Sequence, residues 1–349
     1  MDYLYENLKD FLDQFEIIIK SYKEKNKVKV VGYSCDNFPI EVLAAFGFLP
    51  LRFPPLLDNS GRCFSNHLVK KEIYDYVVLS APCHPQAITP ENSSSIYFFK
   101  PFEGHGSEAS LQLHHEMEAL LKFLGVSNIR NMDPENLKKV VTKYNNLRRI
   151  MKELHEVRFE NHQNLNYNDY LLLMTVATAL PPDFIMPHLS RMLRVLSEKK
   201  RGARRMLPVV VYGGLLAKAD FLEDIEEAGF FILDDDFCNG RRQFDLLHET
   251  DSEYLYYEIL KAFSYKSLCP GNRSAELRFE LFYRLMKNFE IEAIIFIEDK
   301  VCAKRREEID FLRKKLMAIG VDPLVIKSKD LKKRLTEIRK YYIRFLKAV

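Results

Sequence analysis

A chain of 349 residues has room for two domains, or for one large domain with an insertion. At 47% hydrophobic and 29% charged its composition is that of an ordinary globular protein, and a net charge of +3 gives no electrostatic reason to expect nucleic acid as a partner. No run of 18 apolar residues occurs, so no membrane span is expected; the amino-terminal segment carries acids throughout and does not read as a signal peptide, so a cytoplasmic location is expected.

In chain order, Leu4, Leu8, Phe11, Phe15, Ile18 and Ile19 recur at helical spacing and predict a packed amphipathic helix. "VKVVGY" (28–33) is short, apolar and β-branched, which predicts a buried strand. It leads into a predicted helix at 38–47, with Asp36 or Asn37 as its cap, Pro39 at the first helical position and Glu41 in the first turn. "YDYVVLS" (74–80) predicts a second strand, running into a helix at 84–91. Residues 107–200 hold long helical patterns and no good strand, with a third helical element after the cap-like "NYNDY". "EKKRGARR" (198–205) reads as a solvated linker. "LPVVVYG" (207–213) then leads into a helix over 215–228, and "AGFFILD" (228–234) and "IEAIIFIE" (291–298) follow. A helix over 303–318 carries the stripe Ile309, Leu312 and Leu316 and stops at Gly320, before a short strand in "PLVIK" (323–327). Apolar strands alternating with amphipathic helices predict parallel sheets covered on both faces. The expected organisation is an α/β domain over 1–106 with its leading helix, a helical region over 107–200, and a second α/β domain over 201–349.

The six cysteines, at 35, 63, 83, 238, 269 and 302, are too sparse for a disulfide scaffold. Three fall in each α/β part and none in the helical region. Cys35, Cys83, Cys238 and Cys302 each come just after a predicted strand, at the edge where open α/β sheets build their sites. Cys63 in "NSGRCFSN" and Cys269 in "LCPGNRS" lie in turn-rich loops. Cysteines that only fill a core belong inside strands and on helix faces. Thiolates beside helix N-termini and exposed amides suit an anionic iron–sulfur cluster. Structural zinc calls for paired, closely spaced ligands, which are absent; magnesium and calcium call for oxygen; a nucleophile needs one thiol, not six.

These residues carry a resemblance. "GYSCDNFPIEVLAAFGFLPLRF" resembles the opening signature of the 2-hydroxyacyl-CoA dehydratase and benzoyl-CoA reductase family, roughly G-x-x-C-x-x-x-P-x-E-L-x-x-A-x-G-x-x-P-x-R. "DDFCNGRR" around Cys238 is similar to the family's acidic-x-x-C-x-G-x-R/K, and "CPGNRSAELR" from Cys269 to its C-x-x-x-N-x-x-R. All six cysteines sit in contexts like those of the family's double-cubane cluster proteins. Two departures stand out: His84 follows Cys83 where the family usually has Asp, and the chain is shorter than the double-cubane proteins.

The resemblance implies two Rossmann- or flavodoxin-like domains with the metal site in the cleft between them. It implies a double-cubane [8Fe-9S] cluster on Cys35, Cys63, Cys83, Cys238, Cys269 and Cys302. It further implies low-potential electrons delivered by a separate ATP-hydrolysing iron–sulfur activator to a small-molecule or acyl-CoA substrate. The alternatives are a dehydratase subunit with one [4Fe-4S] cluster on Cys63, Cys83 and Cys302, and a non-catalytic partner or assembly protein. A dimer, of like or unlike subunits, is expected, with part of the helical region free for the second subunit. Substrate is expected to enter past loops 35–38, 83–87, 238–242 and 269–273. His84 and Glu41 are the candidates for proton transfer, against a helix-capping or first-turn role, and Arg242 and Arg273 for offsetting cluster charge, against surface salt bridges. His114 and Glu118, spaced i, i+4, read as a charged helix face, and Gly213-Gly214 as a turn.

Overall fold

The computed structural model describes residues 10–35, 38–54, 72–80, 93–100, 102, 104–160, 164–198, 206–214, 220–266, 275–289, 291, 293–298, 303–327 and 331–346. Within them lie two four-stranded parallel sheets. The first has strands β1 (Lys29–Tyr33), β2 (Phe48–Arg52), β3 (Tyr76–Ser80) and β4 (Ile96–Phe99) in the order β2-β1-β3-β4. The second has β5 (Leu207–Tyr212), β6 (Phe230–Asp236), β7 (Ala293–Ile297) and β8 (Leu324–Ile326) in the order β6-β5-β7-β8. The winding is the same in both. The chain steps outward from its first strand to the second, then crosses back to lay the third on the other side. Each sheet therefore has a switch point, between β1 and β3 and between β5 and β7.

The strands are apolar because both sheet faces are covered. In the first sheet Val31, Tyr33, Val78 and Phe99 pack into one core with helices α2 (Ile40–Ala45), α3 (Ser107–Phe123) and α8 (Leu255–Ser264). Val30, Leu49, Leu51, Val77 and Leu79 face the other way, toward Ile19 of α1 (Phe15–Asn26). In the second sheet Val209, Val211, Ile232 and Ile295 join one core, while Val210, Tyr212, Ile294 and Phe296 join another with α9 (Ala275–Phe289) and α10 (Ala303–Ala318). Along α10 the stripe Ile309, Leu312 and Leu316 is buried, and Gly320 ends the helix with φ +88°. Helix α11 (Leu331–Leu346) packs on α7 (Asp220–Glu227) and β8.

Between the sheets in chain order come α3, α4 (Pro134–Glu160), α5 (Tyr167–Ala179) and α6 (Pro182–Ser197). Asn166 caps α5, its side chain accepting the Asp169 N–H at 2.8 Å. Helix α4 packs on α2, α6 and α8, while α5 touches both β2 and α7 and so meets elements of both sheets.

Local details depart from the sequence expectations. Helix α2 is shorter than 38–47, and Pro39 is its N-cap with no side-chain cap bond, not its first helical residue; Asp36 and Asn37 lie outside the described residues. Strands β2 and β4 were not expected. Pro50 argues against a strand in "FLPLR", yet β2 is an edge strand, where a residue without an N–H is tolerated. The helix expected at 84–91 and the linker over 199–205 lie outside the described residues, and the helix expected over 215–228 is described as Asp220–Glu227. No described helix is long and apolar enough to cross a membrane.

Gly32 shows how tightly the first sheet is covered. A Cβ there would stand 2.7 Å from both Phe53 Cζ and Tyr74 Cδ1, whose rings meet edge to face directly over the strand. Gly32→Ala is expected to destabilise the protein by about 1–3 kcal/mol, because neither ring can yield without disturbing the other. A urea midpoint equal to the wild type would show that this aromatic pair is looser than the packing requires.

Candidate metal centre

Cys35 and Cys238 lie among the described residues; both are half-buried and neither is in a disulfide. Cys63, Cys83, Cys269 and Cys302 lie outside them, as do His84 and Arg273. Cys35 comes two residues after β1, in a segment held to its neighbours by backbone bonds. Ser34 N–H donates to the Val78 carbonyl of β3 at 3.2 Å, and Arg52 Nε donates to the Ser34 carbonyl at 3.2 Å. Ser34 Oγ lies 3.5 Å from Cys35 Sγ. Cys83 follows the end of β3 by three residues in sequence. These two cysteines thus follow the two strands that flank the switch point of the first sheet.

Cys238 comes two residues after β6, in a turn whose shape is set by Asp235. The Asp235 carboxylate accepts the backbone N–H of Phe237 at 2.8 Å and of Arg241 at 2.9 Å, and the hydroxyl of Tyr167 from α5. Gly240 is required for this closure, since a Cβ there would fall 1.6 Å from Asp235 Oδ1. The turn is also tied to the segment just past β5, with Cys238 N–H donating to the Gly214 carbonyl at 3.2 Å, and Gln243 Nε2 donates to the Cys238 carbonyl at 2.8 Å. The motif Asp235-x-x-Cys238-x-Gly240-x-Arg242 therefore has a physical reason: the acid gathers the amides, the glycine leaves it room, and the thiol is presented at the sheet edge. Gly213 packs under this turn, where a Cβ would meet the Phe237 ring at 2.8 Å, so its role is close packing as well as turning.

The sulfur of Cys238 meets a cation. Arg305, the third residue of α10, donates one Nη to Cys238 Sγ at 3.2 Å and the other to the Gly213 carbonyl, its guanidinium lying 5.7 Å from the centre of the Tyr212 ring. Arg242 is buried, not on the surface, and pairs with Asp236 at 3.1 Å. Asp236 also pairs with Arg278, whose Nε lies 2.9 Å from Glu308 Oε1, and Glu308 takes the Tyr212 hydroxyl. Burial pushes the Asp235 carboxyl up, and its three hydrogen bonds pull it the other way.

Glu41 is in the first turn of α2, but it does not face solvent. It is 1% exposed and bonded to Arg148 of α4, with His248 Nε2 3.9 Å away. Burial alone would raise its carboxyl; the guanidinium and the hydrogen bonds overcome this and hold it at about 2. Burial also lowers His248, so the imidazole is neutral near pH 7 and Arg148 is the charge that keeps Glu41 ionised. Beside this pair is a cavity of about 40 Å³ lined by Tyr33, Glu41, Arg148, Gln243, Phe244 and Phe263. Tyr33 ends β1 two residues before Cys35, and Gln243 holds the Cys238 carbonyl, so the cavity borders both cysteine loops.

His114, His115 and Glu118 form a separate group on α3, with ligand atoms within 4.8 Å of one another. His114 Nδ1 is 2.8 Å from the Tyr256 hydroxyl, so one ring nitrogen is engaged between α3 and α8. Sequence spacing missed Asp235 as the organiser of the Cys238 turn, Arg148 and His248 as partners of Glu41, and Arg305. One signal for this stretch was present in the sequence: Lys304, Arg305 and Arg306 place cations and no acid in the first turn of the helix, against the usual preference of the helix dipole.

Two parallel sheets, each with a described cysteine two residues past one of its strands, define a doubly wound α/β protein with thiols at the carboxyl edges of its sheets. Residues 62–340 match the family model of the 2-hydroxyglutaryl-CoA dehydratase D-component, and the chain belongs to that family. Membership makes it a component of a dehydratase-type enzyme. Five of the cysteines fall inside the matched span, and Cys35 precedes it. No curated protein matches the chain.

The Glu41–Arg148 pair gives a pH test. The carboxyl titrates near 4.5 when unfolded and about 2 when folded, so the pair's contribution is complete above pH 4.5 and is lost as pH falls toward 2. Glu41→Gln is expected to cost on the order of 3 kcal/mol at pH 7 and to flatten this acid limb. Urea titrations of both proteins across that range decide it, and parallel curves would refute the pairing.

Proposed function

We propose that the chain is an iron–sulfur redox component of a 2-hydroxyacyl-CoA dehydratase-type enzyme, holding a double-cubane [8Fe-9S] cluster in the cleft between domains 1–106 and 201–349. Cys35, Cys63, Cys83, Cys238, Cys269 and Cys302 are the proposed ligands. The observation that carries this reading is the setting of Cys238: a thiol in a braced turn, with an arginine N–H directed at its sulfur. A spectator thiol has no need of this arrangement, which favours six ligands over a single [4Fe-4S] cluster on Cys63, Cys83 and Cys302. The donor set fits the group, since thiolates suit iron–sulfur clusters and the cationic and amide donors around Cys238 suit a negatively charged one.

The cluster would supply single electrons at low potential. The protein's own groups do the rest. Asp235 and Gly240 fix where Cys238 Sγ stands, and Arg305 holds an N–H on that sulfur. Arg242 balances Asp236 inside the fold and supports the turn from below. The ionised Glu41 locks α2 to α4, and so holds the loop that carries Cys35. His84, next to Cys83, is the proposed proton donor, and Arg273, near Cys269 in sequence, is proposed to offset cluster charge. Electrons are proposed to come from an ATP-hydrolysing iron–sulfur activator, the substrate is a small molecule or an acyl-CoA, and the assembly is a dimer.

Anaerobic reconstitution with iron and sulfide analysis tests the reading. About eight irons per chain are expected; about four would favour the single cubane, and none would sink both. Cys238→Ser then separates the two cluster types: iron content falls if Cys238 is a ligand and stays at the wild-type value if it is not. Gly240→Ala is expected to lower bound iron at least twofold while far-UV circular dichroism stays native, because the added Cβ displaces the Asp235 turn and not the sheet. Full iron loading in that variant would show that the turn is not needed to present the sulfur.

A further inference from the structure

Arg305 combines three features. It lies in the first turn of α10, where the helix already presents its positive end and a further cation is disfavoured. It is buried, with 3% of its surface exposed. Its two terminal nitrogens are split between a backbone carbonyl, that of Gly213 at the end of β5, and the sulfur of Cys238 beyond β6. The planar fork fixes the second N–H on the sulfur once the first is bound. Arg278 approaches the same Tyr212 ring and pairs with Asp236 and Glu308, while Arg305 reaches the Cys238 thiol.

We propose that Arg305 is a positioning residue that sets the reduction potential of the cluster bound through Cys238. This rests on the function proposed above. The reason is electrostatic. On accepting one electron the cluster gains one negative charge, and a guanidinium N–H at a ligand sulfur, inside the protein, stabilises the reduced form more than the oxidised one. Hydrogen bonds to ligand sulfurs and net charge are the protein's means of tuning such a centre. Arg305 therefore raises the potential, which makes the first electron easier to accept from a donor and limits the reducing power passed on.

The test is a dye-mediated potentiometric titration of the reconstituted protein, wild type against Arg305→Gln and Arg305→Lys, with iron content and thermal melting measured on each. Arg305→Gln is expected to keep its iron and to shift the midpoint to more negative potential by at least a tenfold change in the reduction equilibrium, about 59 mV for one electron. Arg305→Lys keeps the charge but loses the fork, and its midpoint is expected between the two. A structural role alone would lower the melting temperature and leave the midpoint in place. Wild-type potential in an iron-loaded Arg305→Gln variant overturns the proposal. Should that variant lose its iron, Arg305→Lys decides: a midpoint below wild type supports the role and an unchanged one overturns it. A wild-type protein that binds no iron would overturn the proposed function itself, a different outcome from iron bound at an unaltered potential.

Discussion

Helix α4 is the element on which both sheets depend. Over 27 residues, about 40 Å at 1.5 Å each, it sends polar side chains to both halves of the chain. Toward the first sheet, Asn136 donates to the Ala45 carbonyl at 2.7 Å and Arg148 binds Glu41 of α2. Toward the second, Asn145 exchanges two bonds with the backbone of His248, Lys152 donates to the Asp245 carbonyl at 2.8 Å, and Arg158 donates to the Ile232 carbonyl of β6. Those of Asn145, Arg148 and Arg158 are buried long-range contacts whose loss would leave a donor or acceptor without its bond, so the register of α4 against both sheets is narrowly determined. Arg158 illustrates the cost of getting it wrong. Its guanidinium is fully buried, 4.7 Å and 4.3 Å from the ring centres of Tyr167 and Phe231, with the Glu226 carboxylate 3.4 Å away.

The same design recurs at the Cys238 turn. Buried carboxylates and guanidiniums alternate from Asp234 through Asp236 to Arg278 and Glu308, and each acid either gathers backbone amides or meets an arginine. Such networks contribute little net stability relative to an apolar core, but they fix geometry, because a charge displaced from its partner is expensive. A loop that must hold a sulfur in one place at a sheet edge gains from that stiffness. The apolar strands could not supply it, since hydrophobic burial is non-directional.

Strand-end placement explains why the cysteine positions carry more information than their spacing. In a parallel sheet all carboxyl ends lie on one edge, so residues far apart in sequence are brought to a common line by topology alone. Cys35 and Cys238 each lie two residues beyond a strand, at the carboxyl edge of the first and of the second sheet respectively, and Tyr33 and Gln243 line one cavity.

Much of the fold was legible in the sequence, because buried parallel strands read as apolar β-branched runs and amphipathic helices as 3.6-residue stripes. "VKVVGY", "LPVVVYG" and the Ile309-Leu312-Leu316 stripe are where that periodicity places them. The cysteine positions and the acidic-Cys-Gly-Arg motif were legible too, and with them the family. Strand β2 was hidden by Pro50, whose tolerance depends on lying at a sheet edge, a fact of strand order and not of local sequence. The partners of the site residues were hidden for a similar reason. Glu41 pairs with a residue 107 positions away and Cys238 with one 67 away, and no local pattern encodes contacts at that separation. Sequence by itself determined which residues prefer to be buried and where the thiols fall along the chain. Tertiary structure alone decided that Glu41 is an ion-pair anchor, that Arg242 is internal, and that Arg305 faces a sulfur, because each depends on which surfaces the packed helices bring together.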